Sequence, residues 1–280
     1  MRTPLEEISA DQTAAWIFFS VAAAYFVVSL VGAARERRRV GTAVPLLALA
    51  GGAVASLEES WIDTLIQLHY PDDSPLVAFT AFGNAQPLYL HIIYPGFIGL
   101  GAYVVYRGLV KDPSGRRIWP TFVGIMLMDV AFELTATAAN VYQYYGDHQP
   151  FQLFDGGWPA WVAPINAAGP VLGGVLMHLL LPRMRGVRAA LVALLAPPFA
   201  YAATYGLTAW PTTTLLNSDV SEPVVWLGAL VTIGFATAIV AVVTAVLGGR
   251  APAASPVDAA ASTDGTGERE GVRPAPLVSA

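Results

Sequence analysis

The sequence predicts an all-α fold: a polytopic membrane protein built as a seven-transmembrane-helix bundle, N-terminus outside and C-terminus cytoplasmic. Three observations predict it: composition, the recurrence of long apolar runs, and the one-sided placement of basic residues. Of 280 residues, 55% are hydrophobic and only 12% charged, with mean hydropathy +0.54, whereas a soluble domain carries about 25% charged residues. Apolar runs of the ~20 residues needed to cross a bilayer recur at about 12–34, 41–68, 85–107, 118–141, 158–181, 189–210 and 223–247. Lipid offers the backbone no hydrogen-bonding partner, so segments of this length and composition are expected to be helices. With seven spans the gaps alternate sides. One set of gaps holds Arg35, Arg37, Arg38 and Arg39, then Arg107, Lys111, Arg116 and Arg117, then Arg183, Arg185 and Arg188. Together with Arg250, Arg269 and Arg273 these are all the Lys and Arg except Arg2. The positive-inside rule then sets the orientation, and the strictness of the split supports the span count.

Taken in order, the N-terminal "MRTPLEEISADQ" is acidic, lacks a basic n-region and leads into an apolar run too long for a signal-peptide core, so no cleavage is expected. The second span contains "SLEESWIDTLIQLHY". At helical spacing Ser56, Glu59, Asp63 and Gln67 share one stripe, while Glu58 points about 100° away, beside Trp61 and Ile62. The third span, entered through "NAQPLYLHIIYPGF", carries His91 and Tyr94. The fourth, "LMDVAFELTATAANVYQYYG", places Asp129 and Glu133 on one face, with Asn140 continuing the stripe two turns on. Counted from Ile118 at 1.5 Å per residue, Asp129 lies roughly 16 Å and Glu133 about 22 Å into a ~30 Å core.

The stretch from Val141 to Trp161 has too many aromatics for a solvated turn and is expected to lie in the interface or cap a pocket. Tyr142, Tyr144 and Tyr145 within it read as an interfacial belt. The fifth span, entered through "GGWPAWVAPINAAGP", carries Asn166, and Gly169 and Gly173 form a GxxxG that permits close packing. Prolines in both entry segments break the backbone ladder and can leave carbonyls facing a cavity, or simply kink the helix. The sixth span supplies Tyr201, Thr204 and Tyr205. After the seventh, residues 250–280 are rich in Ala, Pro, Ser and Gly and are expected to form a disordered cytoplasmic tail behind a membrane domain of residues 1–249.

Composition excludes several classes. There is no Cys, hence no disulfide or thiol chemistry. His69, His91, His148 and His178 show neither HxxxH nor HExxH spacing, so no metal is expected. No nucleotide loop, serine elbow or nucleic-acid-binding basic patch is present, and neither cofactor nor nucleic acid is expected. The only Lys, Lys111, falls in a cytoplasmic gap, so no membrane lysine is available for a retinal Schiff base.

What remains is Glu58, Glu59, Asp63, Asp129 and Glu133 inside apolar spans. Each such residue costs roughly 2.5–3.5 kcal/mol at mid-membrane, and such residues usually face the bundle interior and mark a function. The alternative is a purely structural network holding helices together. The cytoplasmic halves carry almost nothing polar apart from His178, so one aromatic-walled pocket toward the outer leaflet is expected. A carboxylic acid in a dry site favours its neutral form and can deliver a proton, and aromatic faces stabilise cations. That combination suits protonation of an alkene or epoxide, then cyclisation or double-bond migration.

Through the acidic "LEESW" of Leu57 to Trp61, the seven spans and the size, the chain resembles the small seven-helix membrane terpene cyclases of meroterpenoid and indole-diterpenoid pathways. The resemblance implies an essential Glu on the second helix, matched by Glu58 or Glu59. That family's second acid lies late in the chain, where this sequence has only Glu222 at the mouth of the seventh span, so Asp129 and Glu133 would take its role.

The expected function is therefore a multi-pass enzyme of the cell membrane acting by acid catalysis on an isoprenoid-like lipid drawn from the bilayer. Catalytic candidates are Glu58, Glu59, Asp63, Asp129 and Glu133, with Glu59 or Glu133 as proton donor. Trp61, His91, Tyr94, Asn140, Asn166, Tyr201 and Tyr205 are the substrate-binding candidates. A proton-coupled carrier and a non-catalytic ligand sensor are the alternatives.

Overall fold

The computed structural model describes residues 9–146, 149–154 and 157–248. The expected acidic start up to Ile8, His148 of the aromatic loop and the expected tail lie outside these residues. The described residues belong to one compact unit ending at Gly248. Among them, six helices are long and apolar enough to cross a membrane, and the protein is a mostly helical, multi-pass membrane protein. They are α1 (Gln12–Val40), α4 (Leu88–Lys111), α5 (Ile118–Ala138), α6 (Ala163–Arg183), α7 (Val187–Leu216) and α8 (Glu222–Gly248). The segment expected as a second span is helical in two pieces, α2 (Val44–Ala55) and α3 (Glu59–Ile66), joined by a 3₁₀ turn at Ser56–Glu58.

Local chemistry sets the helix ends. Asp11 caps α1 by accepting from the Ala14 N–H at 3.0 Å. At the other end Gly41 takes a left-handed φ of 71° and returns its N–H to the Arg37 carbonyl. Arg37, Arg38 and Arg39 occupy the last turn, where cations complement the helix dipole. Pro45 and Pro164 begin α2 and α6 in first-turn positions that need no N–H donor. Two helices carry π-helical turns: α4 at Pro95–Leu100 and α7 at Tyr205–Ala209.

The centre of the bundle is α6, buried along nearly its whole length and packed against α4, α5, α7 and α8. Its glycines permit this, as expected from the GxxxG spacing. A Cβ on Gly173 would meet Ala102 of α4 at 3.0 Å, and one on Gly169 would meet the Tyr201 ring of α7 at 2.9 Å. The same device brings α2 against α4, where a Cβ on Gly52 would stand 2.6 Å from the Tyr94 carbonyl oxygen and 2.7 Å from the Gly99 nitrogen. By contrast, α1 and α8 expose large apolar side chains such as Val28, Leu227 and Val242 along their outer faces. That is what helices at the lipid boundary do.

The all-α expectation needs one correction. Among the described residues, four short strands form two antiparallel pairs in the connections: β1 (Leu68–His69) with β4 (Gln143–Tyr144), and β2 (Val77–Ala81) with β3 (Asn84–Pro87). The hairpin turns through Phe82 and Gly83, both at positive φ, as a two-residue loop between right-twisted strands requires. Asn84 fastens it to β1, accepting from the Tyr70 N–H at 2.9 Å and donating to the Leu68 carbonyl at 3.0 Å. The third span therefore starts at Leu88, because residues 84–87 are already strand.

Candidate active site

Spacing places Glu59 and Asp63 on one face of α3, and Asp129 and Glu133 on one face of α5. The fold turns these two faces toward each other. All four are buried, at relative exposures of 7% (Glu59), 0% (Asp63), 5% (Asp129) and 9% (Glu133). Glu59, Asp129 and Glu133 line a cavity of about 180 Å³ with Tyr94, Asn166 and Tyr201, while Asp63, one turn on from Glu59, is not among its lining residues. No Lys or Arg is among its lining residues. The carboxyls ring the space rather than meeting at one point: among the described residues, no three His, Asp or Glu side chains gather as they would around a metal ion.

Each acid is held differently. The Glu133 Oε2 accepts from the Tyr142 hydroxyl at 2.8 Å and the Tyr144 hydroxyl at 3.2 Å. The Glu59 Oε2 accepts from Tyr94 and, at 3.5 Å, from Tyr201, whose hydroxyls lie 2.9 Å apart. The Asp63 Oδ2 accepts from the Gln86 amide at 3.1 Å. The Asp129 Oδ1 accepts from the Asn166 Nδ2 at 3.0 Å, and the Asn166 Oδ1 in turn accepts from the Tyr205 hydroxyl at 2.6 Å. The buried Asp129 Oδ2 has no hydrogen-bond partner. The partnered oxygens of Glu59 and Glu133 thus each receive two hydroxyls, while Asp129 accepts one amide through Oδ1 and nothing through Oδ2.

The π-helical turns account for part of this arrangement. Tyr94 immediately precedes the one in α4 and Tyr205 opens the one in α7. A π turn inserts one residue into the helical repeat and re-aims the side chains at its edge. In α7 the glycine face of α6 also lets Tyr201 approach closely. The rings stack edge to face, Tyr94 on Tyr201 with centroids 5.6 Å apart and Tyr201 on Tyr205 at 5.2 Å.

Several expected site residues stand elsewhere. The fourth helix ends at Ala138, so Asn140 does not continue the acid stripe. It is exposed, at a left-handed φ of 50°, and accepts from Gln143. Glu58 is half-buried on the 3₁₀ turn and does not line the cavity, as its 100° offset implies. Trp61 packs against the apolar core beside the site without lining it. His91 also stays outside, its Nδ1 3.0 Å from the Ser56 Oγ and its ring 5.0 Å from Phe79.

Conversely, Tyr142 and Tyr144 are not an interfacial belt but fully buried site residues. Burial, and next the Glu133 carboxyl, push both phenols well above their ordinary range, so they remain O–H donors. The β1–β4 pairing, Leu68 opposite Tyr144, draws their loop over the acids. Trp158 and Trp161 are buried in the same cap. Tyr70, Tyr89 and Gln86 also belong to the surroundings and had no periodic signal, since each enters from a connection or a helix start. The cavity reaches the outer surface of the bundle, where its lining residues Val21 of α1 and Met128 of α5 are exposed. Phe132, also in the lining, joins α5 to α1 through Phe18, ring centroids 5.3 Å apart.

No protein-family model matches the chain, and neither a curated protein nor a solved structure matches it.

Proposed function

We propose that the protein is an integral-membrane enzyme of the cell membrane that cyclises or isomerises an isoprenoid-like lipid by acid catalysis. The observation that carries this is the meeting of three buried carboxyl side chains with tyrosine rings around one cavity that opens toward the lipid-facing surface. A substrate dissolved in the bilayer can enter there without crossing water.

Asp129 is the assigned proton donor, because it lines the cavity and, unlike Glu59 and Glu133, receives no hydroxyl: its Oδ1 accepts only the Asn166 amide and its buried Oδ2 has no partner. The sequence alone favoured Glu59 or Glu133. Their partnered oxygens already accept two hydroxyls each, which makes them acceptors better suited to removing a proton at the end of the reaction. In the first step the Asp129 O–H bond breaks as its proton adds to an alkene carbon or an epoxide oxygen, leaving a carbocation or opening the ring. The faces of Tyr94 and Tyr201 stabilise the cation while a second double bond attacks it or a neighbouring C–H bond releases its proton. A carboxylate takes that proton, so nothing is oxidised or reduced, and proton transfer among the acids restores the donor. Asn166 fixes the Asp129 carboxyl through Oδ1 and leaves the other oxygen to the substrate.

The topology that accompanies this function is seven crossings, with the 44–66 segment as the second, the arginine-bearing ends in the cytoplasm and the acid cavity in the outer leaflet. It is shared with the membrane terpene cyclases that the "LEESW" segment resembles. Membranes containing wild type, Asp129→Asn or Glu133→Gln, incubated with polyprenyl and epoxy-polyprenyl compounds, test the chemistry. Conversion by wild type and at least 100-fold loss in Asp129→Asn are expected, on the scale of a lost general acid. Conversion at the wild-type rate in both variants, or by none of the proteins, overturns the assignment.

A further inference from the structure

A second cavity, unrelated to the acids, opens at the arginine-bearing end of the bundle. It has a volume of about 440 Å³ and lies between α1, α4 and α5. Four of its lining residues are cations, Arg39, Arg107, Lys111 and Arg117, against the single carboxylate of Glu36. Glu36 engages two of the arginines, with Arg39 Nε at 2.8 Å and Arg107 Nε at 3.1 Å, and accepts from the Tyr103 hydroxyl at 3.2 Å. That holds their guanidinium groups against the wall. Among the described residues, Lys111 and Arg117 enter no ion pair within contact distance, the nearby Asp112 carboxylate acting on Arg117 only through space and shared with Arg116, and both cations are exposed. The cleft therefore keeps an excess of positive charge at its mouth.

Deeper in, the lining turns apolar, with Leu100 and Val104 of α4. From Lys111 to Leu100 is 11 residues, about 16 Å along a helix, close to one leaflet of a ~30 Å hydrocarbon core. Two glycines widen the walls. A Cβ on Gly32 of α1 or Gly108 of α4 would meet nothing within 4 Å, so close packing does not require either glycine and the space beside them is free.

We infer that this cleft is a binding site for an anionic phospholipid, its phosphate headgroup between Lys111 and Arg117 and an acyl chain laid along the apolar wall of α4. A phosphate ion alone would use the cations and leave the apolar wall unfilled. A zwitterionic lipid would fill the wall but gain little from the excess charge.

The test is native mass spectrometry of the full-length protein released from detergent, with phosphatidylglycerol, phosphatidylcholine of the same chains, or inorganic phosphate added. Wild type is expected to retain one phosphatidylglycerol at least tenfold more tightly than phosphatidylcholine and to keep it in millimolar phosphate. Lys111→Gln/Arg117→Gln is expected to lose that preference. Gly108→Leu and Gly32→Leu, which fill the cleft at positions where Leu also favours the helix, are expected to lose the bound lipid while unfolding at the wild-type temperature. Equal retention of the two lipids by wild type, full displacement by phosphate, or unchanged retention in the folded cleft-filling variants overturns the site.

Discussion

Asn166 is the hinge of the polar arrangement, and replacing it with Ala measures how much that arrangement holds the bundle together. Its side chain joins three helices, donating to Asp129 of α5 at 3.0 Å and accepting from Tyr205 of α7 at 2.6 Å, with Tyr201 at the 3.5 Å limit. Hydrogen bonds between membrane helices average about 0.6 kcal/mol and reach about 1.7 kcal/mol. Two well-formed bonds therefore predict a loss of about 1–3 kcal/mol for Asn166→Ala, the long contact adding little. The upper part of that range is expected, because truncation leaves the Asp129 carboxyl with neither oxygen partnered and the Tyr205 hydroxyl without its acceptor. Equilibrium unfolding in mixed detergent micelles, followed by helical circular dichroism, measures the change. A double-mutant cycle with Tyr205→Phe isolates the bond between the two residues, with an expected coupling of about 0.6–1.7 kcal/mol. Additivity of the two substitutions within about 0.3 kcal/mol refutes the bond and with it the positioning of Asp129.

Gly52→Ala is expected to destabilise by about 1–3 kcal/mol, since its Cβ would press on the backbone of α4 beside Tyr94. Gly124→Ala on the open face of α5 is the control and should be neutral or slightly stabilising, and equal thermal unfolding of the two variants would contradict the packing. His69, in a connection outside the spans, has its pKa held below the usual imidazole value by burial, which outweighs the opposing pull of Asp72. Its contribution to stability is then complete above about pH 6.5 and is lost as pH falls below that value, because the unfolded chain takes up the proton first. Unfolding of wild type and His69→Gln compared between pH 7.5 and 5 should show the steeper loss in wild type, and parallel curves would contradict it.

The acid stripes were legible because period 3.6 fixes which side chains share a face, whatever the rest of the chain does. Glu59 with Asp63, and Asp129 with Glu133, needed no more than that. Asn166, Tyr94, Tyr201 and Tyr205 could be placed level with the acids by counting residues, and they do gather beside them. Which helices are neighbours is not written in any one helix, so the identity of each acid's partner had to come from the fold. Tyr142 and Tyr144 show the limit most clearly. They lie where no helical period applies, and only the pairing of Leu68 with Tyr144, 76 positions later, carries them inward. Asn140 fails for a related reason: extrapolating the stripe assumed a helix that stops at Ala138. The 3₁₀ turn at Ser56–Glu58 has the same apolar surroundings as its neighbours and leaves no mark in composition.

The π-helical turns in α4 and α7 have a consequence for how such a chamber can change over time. One additional residue in a helical repeat rotates everything beyond it by about 100°, so each of these helices is two independently aimed rods sharing an axis. In α4 the Leu88–Tyr94 rod can alter its side chains to suit a new ligand while the Gly101–Lys111 rod keeps its inter-helix contacts undisturbed. Deleting one residue from Pro95–Leu100 would weld the rods together and swing Tyr94 out of the chamber. A lineage that tolerates such a deletion would have had to abandon the chamber first.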